Sequence, residues 1–458
     1  MNENKKSSVH NHMRPVLPAV ASAIVWGAGQ LMNKQYIKGI IFFLIQLSIM
    51  MTEFTTGNFG IPFSCRENGG FFVKGIWGII TLGTKPRELT LAGVTEGDHS
   101  IILMIRGIIV VLILFILIGI YIFNIRDAYQ TRKMYNQTGY MVSTSEYIKK
   151  LWSTTFHYIV LLPAIILLIF LSIMPIVFSI LTAFSNYSKV NMPPINLVKW
   201  VGMTNFANLF RIPVWSKTFF GVLGWTIVWA ICSTVTCFFG GLFQAVIVNS
   251  RRVRAKRMWR GIYILPWAIP GMISLLVFRT MFNGQFGPVS QFLINMGITN
   301  ERISWFTDPN NPNLARFMVI LINLWMGFPY FMALMTGIMS GISNELYEAA
   351  KIDGATSWDE LCKITLPLVL NAASPLLIMS FAGNFNNFST IFFLTDGGPT
   401  NASYQFAGST DILITWIFKL TVNNQLYNMA AVMSILIFIF IGGISIWNLR
   451  RTKAFKED

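Results

Sequence analysis

The sequence predicts an all-α polytopic membrane protein with about eight transmembrane helices, and three observations carry that expectation. Hydrophobic residues make up 54% of the chain against 12% charged, with a mean hydropathy of +0.56. That is more apolar surface than a soluble core requires, and it suits an exterior in contact with lipid. The apolar residues gather into stretches long enough to cross a bilayer as helices, separated by polar loops. Lys and Arg concentrate in alternate loops, as a fixed orientation in a membrane demands.

In chain order, residues 1–38 read as a cytoplasmic N-terminal segment. Its start, MNENKKSSVHNHMRP, shows no apolar region followed by a small-residue cleavage site. Val16 to Leu31 is apolar but broken by WGAGQLMNK, and reads as an interfacial or re-entrant piece, since Lys34 and Lys38 would otherwise sit at an outer turn. Residues 39–125 hold two spans, Gly39 to Thr52 and Ile101 to Ile125, around an outer loop, 53–100. The Gly-rich GNFGIPFSCRENGG of that loop suits either a small folded cap or an irregular connection. A cytoplasmic linker, 126–155, follows. Residues 156–449 carry six more spans: Phe156 to Phe184, Phe219 to Val248, Trp259 to Phe282, Leu314 to Ser340, Leu366 to Leu394 and Tyr427 to Leu449. Residues 450–458 form a cytoplasmic tail.

The charge census fixes the orientation. Loops assigned inside carry 22 Lys and Arg and those assigned outside 10, with Arg106, Arg279 and Arg316 placed near outer helix ends where they can snorkel. The run RRVRAKRMWR puts its loop in the cytoplasm, and alternation puts both termini and 343–367 there too. The net charge of +16 lies in short runs beside apolar spans, a pattern for anionic lipid rather than nucleic acid. Four scattered Cys and four His show neither metal-ligand nor catalytic-triad spacing, so no metal, no bound cofactor and no enzyme chemistry is expected in this chain. Asp411 and Lys419, in the outer loop before the last span, read as an exposed pair.

One stretch breaks the apolar pattern: EAAKIDGATSWDELCKITLP, Glu348 to Pro367. NELYEAAKIDG reads as a short helix with Glu345, Glu348 and Lys351 on one exposed side, Ala349 and Ala350 supplying propensity without bulk, and Gly354 ending it. Ser357 with Glu360 reads as a capping box opening a second helix that runs into the membrane at Pro367. Two helices meeting at a Gly turn make a compact knob suited to docking. Glu-Ala-Ala, three residues, Gly, nine residues, Ile, one residue, Leu-Pro resembles the EAA loop in the membrane subunits of bacterial binding-protein-dependent ATP-binding-cassette (ABC) importers. That resemblance implies that Glu348, Ala349, Ala350, Asp353 and Gly354 belong to a coupling helix seated in a separate ATPase. The chain has no GxxxxGK[ST] phosphate loop of its own, so ATP and Mg would be bound by that partner.

A wider match, from about Phe156 to the C-terminus, is carried by ILPWAIPGMISLLVF, FNGQFGP, NLWMGFPYFM, SFAGNFNNFSTIFFLTDGGP and YQFAGSTDILITWIFKLT. These segments look like the carbohydrate permeases of the MalF type. The resemblance implies a six-helix type I importer core and uptake of maltose or maltodextrin by alternating access. It also implies the partners: a second permease of the MalG type, two ATPase subunits, an extracytoplasmic sugar-binding protein and the lipid of a bacterial cell membrane. The chain departs from the enterobacterial pattern in one place, having a short loop, Ser185 to Thr218, where a large soluble insertion is found there. In SFAGNFNNF, Ser380, Asn384 and Asn387 fall at offsets of four and three, flanked by Phe381, Phe385 and Phe388; Asn323, Gly327 and Tyr330 fall at offsets of four and seven. Amides, hydroxyls and aromatic faces are what a sugar needs, and the resemblance places these six residues at the sugar site. Interhelical hydrogen bonding is the competing role for the same side chains. Another oligosaccharide, of the galacto-oligosaccharide or raffinose type, is the alternative cargo. An ion-coupled transporter would need acidic groups at helix centres, and none is present.

Overall fold

The computed structural model describes residues 13–90, 93–94, 97–139, 144–250 and 253–451. The first twelve residues, part of the 126–155 linker, Arg251, Arg252 and the tail beyond Arg451 lie outside the described residues. The chain forms two compact units, Met1–Val201 and Gly202–Asp458, each nearly all helix.

In the first unit, α1 (Val16–Ile24) and α2 (Ala28–Met32) form a hairpin, followed by α3 (Tyr36–Thr56), α4 (Phe71–Thr81) and the 39-residue α5 (Ser100–Thr138). The hairpin is fastened to α5 by polar contacts. Gln30 donates to the Asn124 carbonyl (2.8 Å), Asn124 to the Ser22 carbonyl (3.0 Å) and Asn33 to the Ala128 carbonyl (2.9 Å). Lys38, almost wholly buried, pairs with Asp127 at 2.9 Å. Residues 16–32 thus satisfy their buried polar groups within the protein, as burial requires. The apolar run from Thr144 is one continuous rod, with α6 (Thr144–Leu168), a π-helical turn at Ile169–Ile173 and α7 (Met174–Ala183).

The 53–100 connection is folded. Besides α4 it holds a two-residue antiparallel pair, β1 (Leu89–Thr90) with β2 (Gly93–Val94). Glu53 caps α4 by accepting from the amides of Gly70 and Phe72. Asp98 accepts from Arg66 (3.0 Å) and from the amides of Thr84 (2.8 Å) and Lys85 (3.0 Å). Burial alone would raise the Asp98 carboxyl. The two amides and the Arg66 guanidinium outweigh it and hold the group below the usual carboxylate range. A depressed carboxylate stabilises the fold at pH above its unfolded value, about 3.9, and that contribution is lost as pH falls through the folded value. Protease resistance of this segment is therefore expected to stay level from neutral pH to about 5 and to fall on further acidification. Asp98→Asn should remove the acid step; an unchanged acid profile in that variant would assign the step elsewhere.

The second unit contains α8 (Thr204–Arg211), α9 (Pro213–Asn249), α10 (Lys256–Ala268), α11 (Gly271–Met281), α12 (Pro288–Asn295) and α13 (Pro312–Ser340). Then come α14 (Asn344–Ile352), α15 (Ser357–Asp359), a π-helical turn at Glu360–Thr365, α16 (Leu366–Phe385), α17 (Phe388–Thr395), α18 (Leu413–Phe418) and α19 (Tyr427–Arg451). The centre is α9 against α13. A Cβ on Gly241 would come 2.4 Å from that of Phe331, so glycine here is what lets the two backbones close up. Trp229, Ile322, Ile391 and Leu394 form one core cluster, and Phe238, Phe331, Met335 and Val369 another. In a bilayer such clusters hold by close packing, since lipid tails are as apolar as leucine.

Among the described residues, six helices are long and apolar enough to span a membrane, or seven with the pair α10–α11, which bends by 85°. The expected last span is the 25-residue α19. Two expected spans are broken. Trp259 to Phe282 splits at Pro270, where proline cannot donate to the helix ladder. Leu366 to Leu394 stops at Phe385 and restarts at Phe388, with Asn387 as N-cap of α17 through its side chain and the Thr390 amide. The pair Asp411 and Lys419 is not exposed. The Asp411 side chain is fully buried and Lys419 reaches it at 2.7 Å, because residues 396–411 fold back over α18.

Candidate functional site

Four helices, α9, α13, α16 and α17, converge on a cavity of about 280 Å³ in the second unit, lined by Cys237, Asn323, Met326, Gly327, Tyr330, Phe331, Ser380, Asn384, Asn387 and Thr390. All six residues singled out for the sugar site are among them. Asn323, Gly327 and Tyr330 come from α13, at offsets that put them on one face. Asn323 lies about 16 Å from one end of that helix and about 26 Å from the other. Ser380 and Asn384 come from α16, and Asn387 from the break beyond it.

The polar side chains are half committed. Asn384 donates to Thr234 Oγ1 (3.0 Å) and its carbonyl accepts from the Trp229 indole (2.9 Å). Asn323 donates to Cys237 Sγ (3.7 Å). These bonds tie α13 and α16 to α9, which is the helix-packing role. They leave Asn323 Oδ1, Asn384 Oδ1, Asn387 Nδ2, the Ser380 hydroxyl and the Tyr330 hydroxyl with capacity toward the cavity. A Cβ on Gly327 would approach Cys237 Sγ to 2.6 Å, so glycine preserves the space. The Tyr330 ring stacks on Trp267 at 5.9 Å and 16°. No ionisable carboxylate or amine lines the cavity.

The expected aromatic flank differs. Phe385 is fully buried and packs on Phe440, and neither Phe381 nor Phe388 lines the cavity. Tyr330 and Phe331 take that place. Cys237, Met326, Phe331 and Thr390 went unrecognised, because an apolar or small residue facing a cavity looks like one facing lipid. A larger cavity, about 840 Å³, is walled almost wholly by side chains such as Ile273, Val277, Trp325 and Phe328 and offers a polyol few partners.

The knob is a second feature. Ser343 caps α14 and Gly354 ends it at φ +80°. The capping box of the next helix lies one residue earlier than expected: Thr356 and Asp359 make it, since Thr356 is the residue with extended backbone. Tyr347 bonds Thr365 at 2.9 Å and Lys351 pairs with Glu360 at 3.9 Å, which ties α14 to the helical segment that follows it. No residue of α14 is buried. Ile352 is 87% exposed and Trp358 71%, two apolar side chains beside the Glu348–Gly354 stretch that sequence reasoning passed over.

The chain matches the family described as binding-protein-dependent transport system inner membrane component over residues 237–453. It is 40% identical over 442 residues to the galactooligosaccharides transport system permease protein GanP of Bacillus subtilis (strain 168), covering 96% of this chain and 98% of the relative. The maltodextrin transport system permease proteins MdxF of the same organism and MalC of Streptococcus pneumoniae are 36% and 33% identical over 95% and 96% of this chain, and over 95% and 97% of their own lengths. A solved bacterial ABC transporter involved in the import of the acidic polysaccharide alginate shares the fold, with a TM-score of 0.54 at 22% identity over 68% of this chain and 99% of that one. With relatives at this identity aligned over nearly their whole length, the chain belongs to the binding-protein-dependent inner membrane components, the multi-pass permease subunits of ABC importers.

Proposed function

We propose that this chain is one of two permeases in an importer of neutral oligosaccharides, with maltose and maltodextrins as cargo. The observation that carries the reading is the uncharged cavity in which Asn323, Tyr330, Ser380, Asn384 and Asn387 present unused hydrogen-bonding atoms. A polyol offers many hydroxyls and no charge, so amide and hydroxyl partners suit it and a carboxylate-bearing substrate would lack a counter-ion. The 33–37% identity to maltodextrin and maltose permeases supports the cargo. A second reading, galacto-oligosaccharides, is favoured by the 40% identity to GanP.

In this reading both termini and the 343–367 knob face the cytoplasm of a bacterial cell. The knob sits on one of two ATPase subunits, which hold ATP and Mg, and Glu348, Ala349, Ala350, Asp353 and Gly354 form the contact. A second permease of the MalG type completes the pathway and an extracytoplasmic binding protein delivers the sugar. The α6–α7 rod buries none of its apolar window against its own chain, which leaves that surface for lipid and the second permease. ATP-driven closure moves the knob, the helices bearing Asn323 and Asn384 part on the outer side, and hydrolysis resets them.

Uptake of labelled maltotriose and of a galactotriose of equal length by cells lacking the gene, complemented with parent or Asn384→Ala chain at matched membrane levels, tests this. The parent is expected to restore maltotriose uptake and Asn384→Ala to lose at least about tenfold, the loss of two hydrogen bonds. Restoration of galactotriose uptake alone would select the second reading. Full activity of Asn384→Ala would return that residue to helix packing.

A further inference from the structure

A pocket of about 440 Å³ in the second unit belongs to none of the roles above. It is closed by the turn FNGQFGP and lined by Arg279, Gln285, Ser304 and Thr307, with Phe282 and Phe306 as aromatic walls. The turn is held by Asn283, whose side-chain oxygen accepts from the amides of Gln285 and Phe286 at 2.9 and 3.0 Å. The four polar side chains, by contrast, have no hydrogen-bond or ion-pair partner among the described residues, and no carboxylate lines the pocket. Uncommitted amide, hydroxyl and guanidinium groups between phenyl rings are the chemistry that recognises a saccharide.

The position matters as much as the lining. One short helix, α17, touches both recesses: Thr390 and the N-cap residue Asn387 line the Asn384 cavity, and Leu394 and Thr395 line this pocket. Thr390 and Leu394 are four apart, hence on one face and separated by about 6 Å. The inner cavity, about 280 Å³, lies at the floor of the size range of small-molecule sites. A sugar longer than that cavity accepts must place its remainder elsewhere, and the recess one helical turn away is the built space for it.

We infer that the Gln285–Thr307 pocket is a second, outer saccharide subsite, which holds the trailing rings of longer neutral oligosaccharides. The inference rests on the reading of the chain as an oligosaccharide permease. Gln285 and Thr307 are exposed and unbonded, so truncating them leaves the fold in place. The test is uptake by the complete importer, with its binding protein, of a labelled length series of whichever saccharide the parent carries, from disaccharide to heptasaccharide. Gln285→Ala with Thr307→Ala is expected to raise the half-saturating concentration about tenfold for the pentasaccharide and longer, the effect of two lost hydrogen bonds, and to leave the disaccharide within about twofold. No change at any length overturns the subsite, and so does an equal loss at every length, the signature of impaired binding-protein docking. Asn384→Ala, run beside it, reports on the inner cavity alone. If that variant is fully active while the length effect appears, the inner assignment fails and the outer one stands.

Discussion

Replacing Gly354 with proline is expected to bring saccharide uptake below about one-tenth of the parent rate while the chain still reaches the membrane. Gly354 stands at φ +80° and donates its amide to the Lys351 carbonyl at 3.1 Å. Proline fixes φ near −65° and has no amide hydrogen, so the turn between α14 and α15 must be rebuilt and Ile352 and Trp358 lose their relative placement. The turn is exposed, so the damage stays local. A tenfold loss corresponds to about 1.4 kcal/mol, less than a rearranged contact surface should cost. Ile352→Glu keeps the backbone and puts a charge where an apolar side chain is 87% exposed. Both variants should fail to retain the ATPase in affinity purification of the importer. Normal uptake and retention in both would sink the docking role of the knob.

The second large effect is at Asp411. Its carboxylate accepts from Lys419 Nζ and from the Gly408 amide at 2.7 Å and from Thr415 Oγ1 at 2.8 Å, and Lys419 also donates to the Asp396 carbonyl at 2.7 Å. Four segments are thereby pinned at one point. Removing one member of a buried pair strands the other charge, at a cost of about 3–5 kcal/mol. The two members are unequal. Burial pushes the Asp411 carboxyl above its usual range against the pull of Lys419 and its hydrogen-bond donors, so in Lys419→Met the acid can take up a proton and shed its charge. Asp411→Ala offers the lysine no such relief at neutral pH. Asp411→Ala is therefore expected to lower the thermal midpoint of the purified complex most, Lys419→Met less, and Asp411→Asn with Lys419→Met least. Additive losses in the double variant would mean that the two residues act separately.

The contrast between spans and breaks explains what was legible. A helix in lipid must be mostly apolar, so hydropathy located the six helices that, among the described residues, are long and apolar enough to span a membrane, and the EAA spacing located the knob. The same uniformity hides direction: lipid-facing and protein-facing residues are equally apolar, so the break at Asn386 and the inward faces of Cys237 and Phe331 left no trace. Polar residues in an apolar run are costly there and stand out, which is why Asn323, Ser380 and Asn384 could be named. Asp411 and Lys419 misled because their spacing in the sequence says nothing of how residues 396–411 fold back over α18.

The π-helical turn at Glu360–Thr365 stands between the knob and α16. A π turn carries one residue more than the α-helical path it replaces. One residue of α-helix corresponds to about 100° of rotation and 1.5 Å of rise. The rod joining the knob to Ser380 and Asn384 thus contains one residue of slack, taken up or released by a change of hydrogen-bond register alone. On the proposed reading of the knob as the ATPase contact and of the Asn384 cavity as the saccharide site, a register change in this turn would rotate Ser380 and Asn384 relative to the knob without unfolding the helix that joins them.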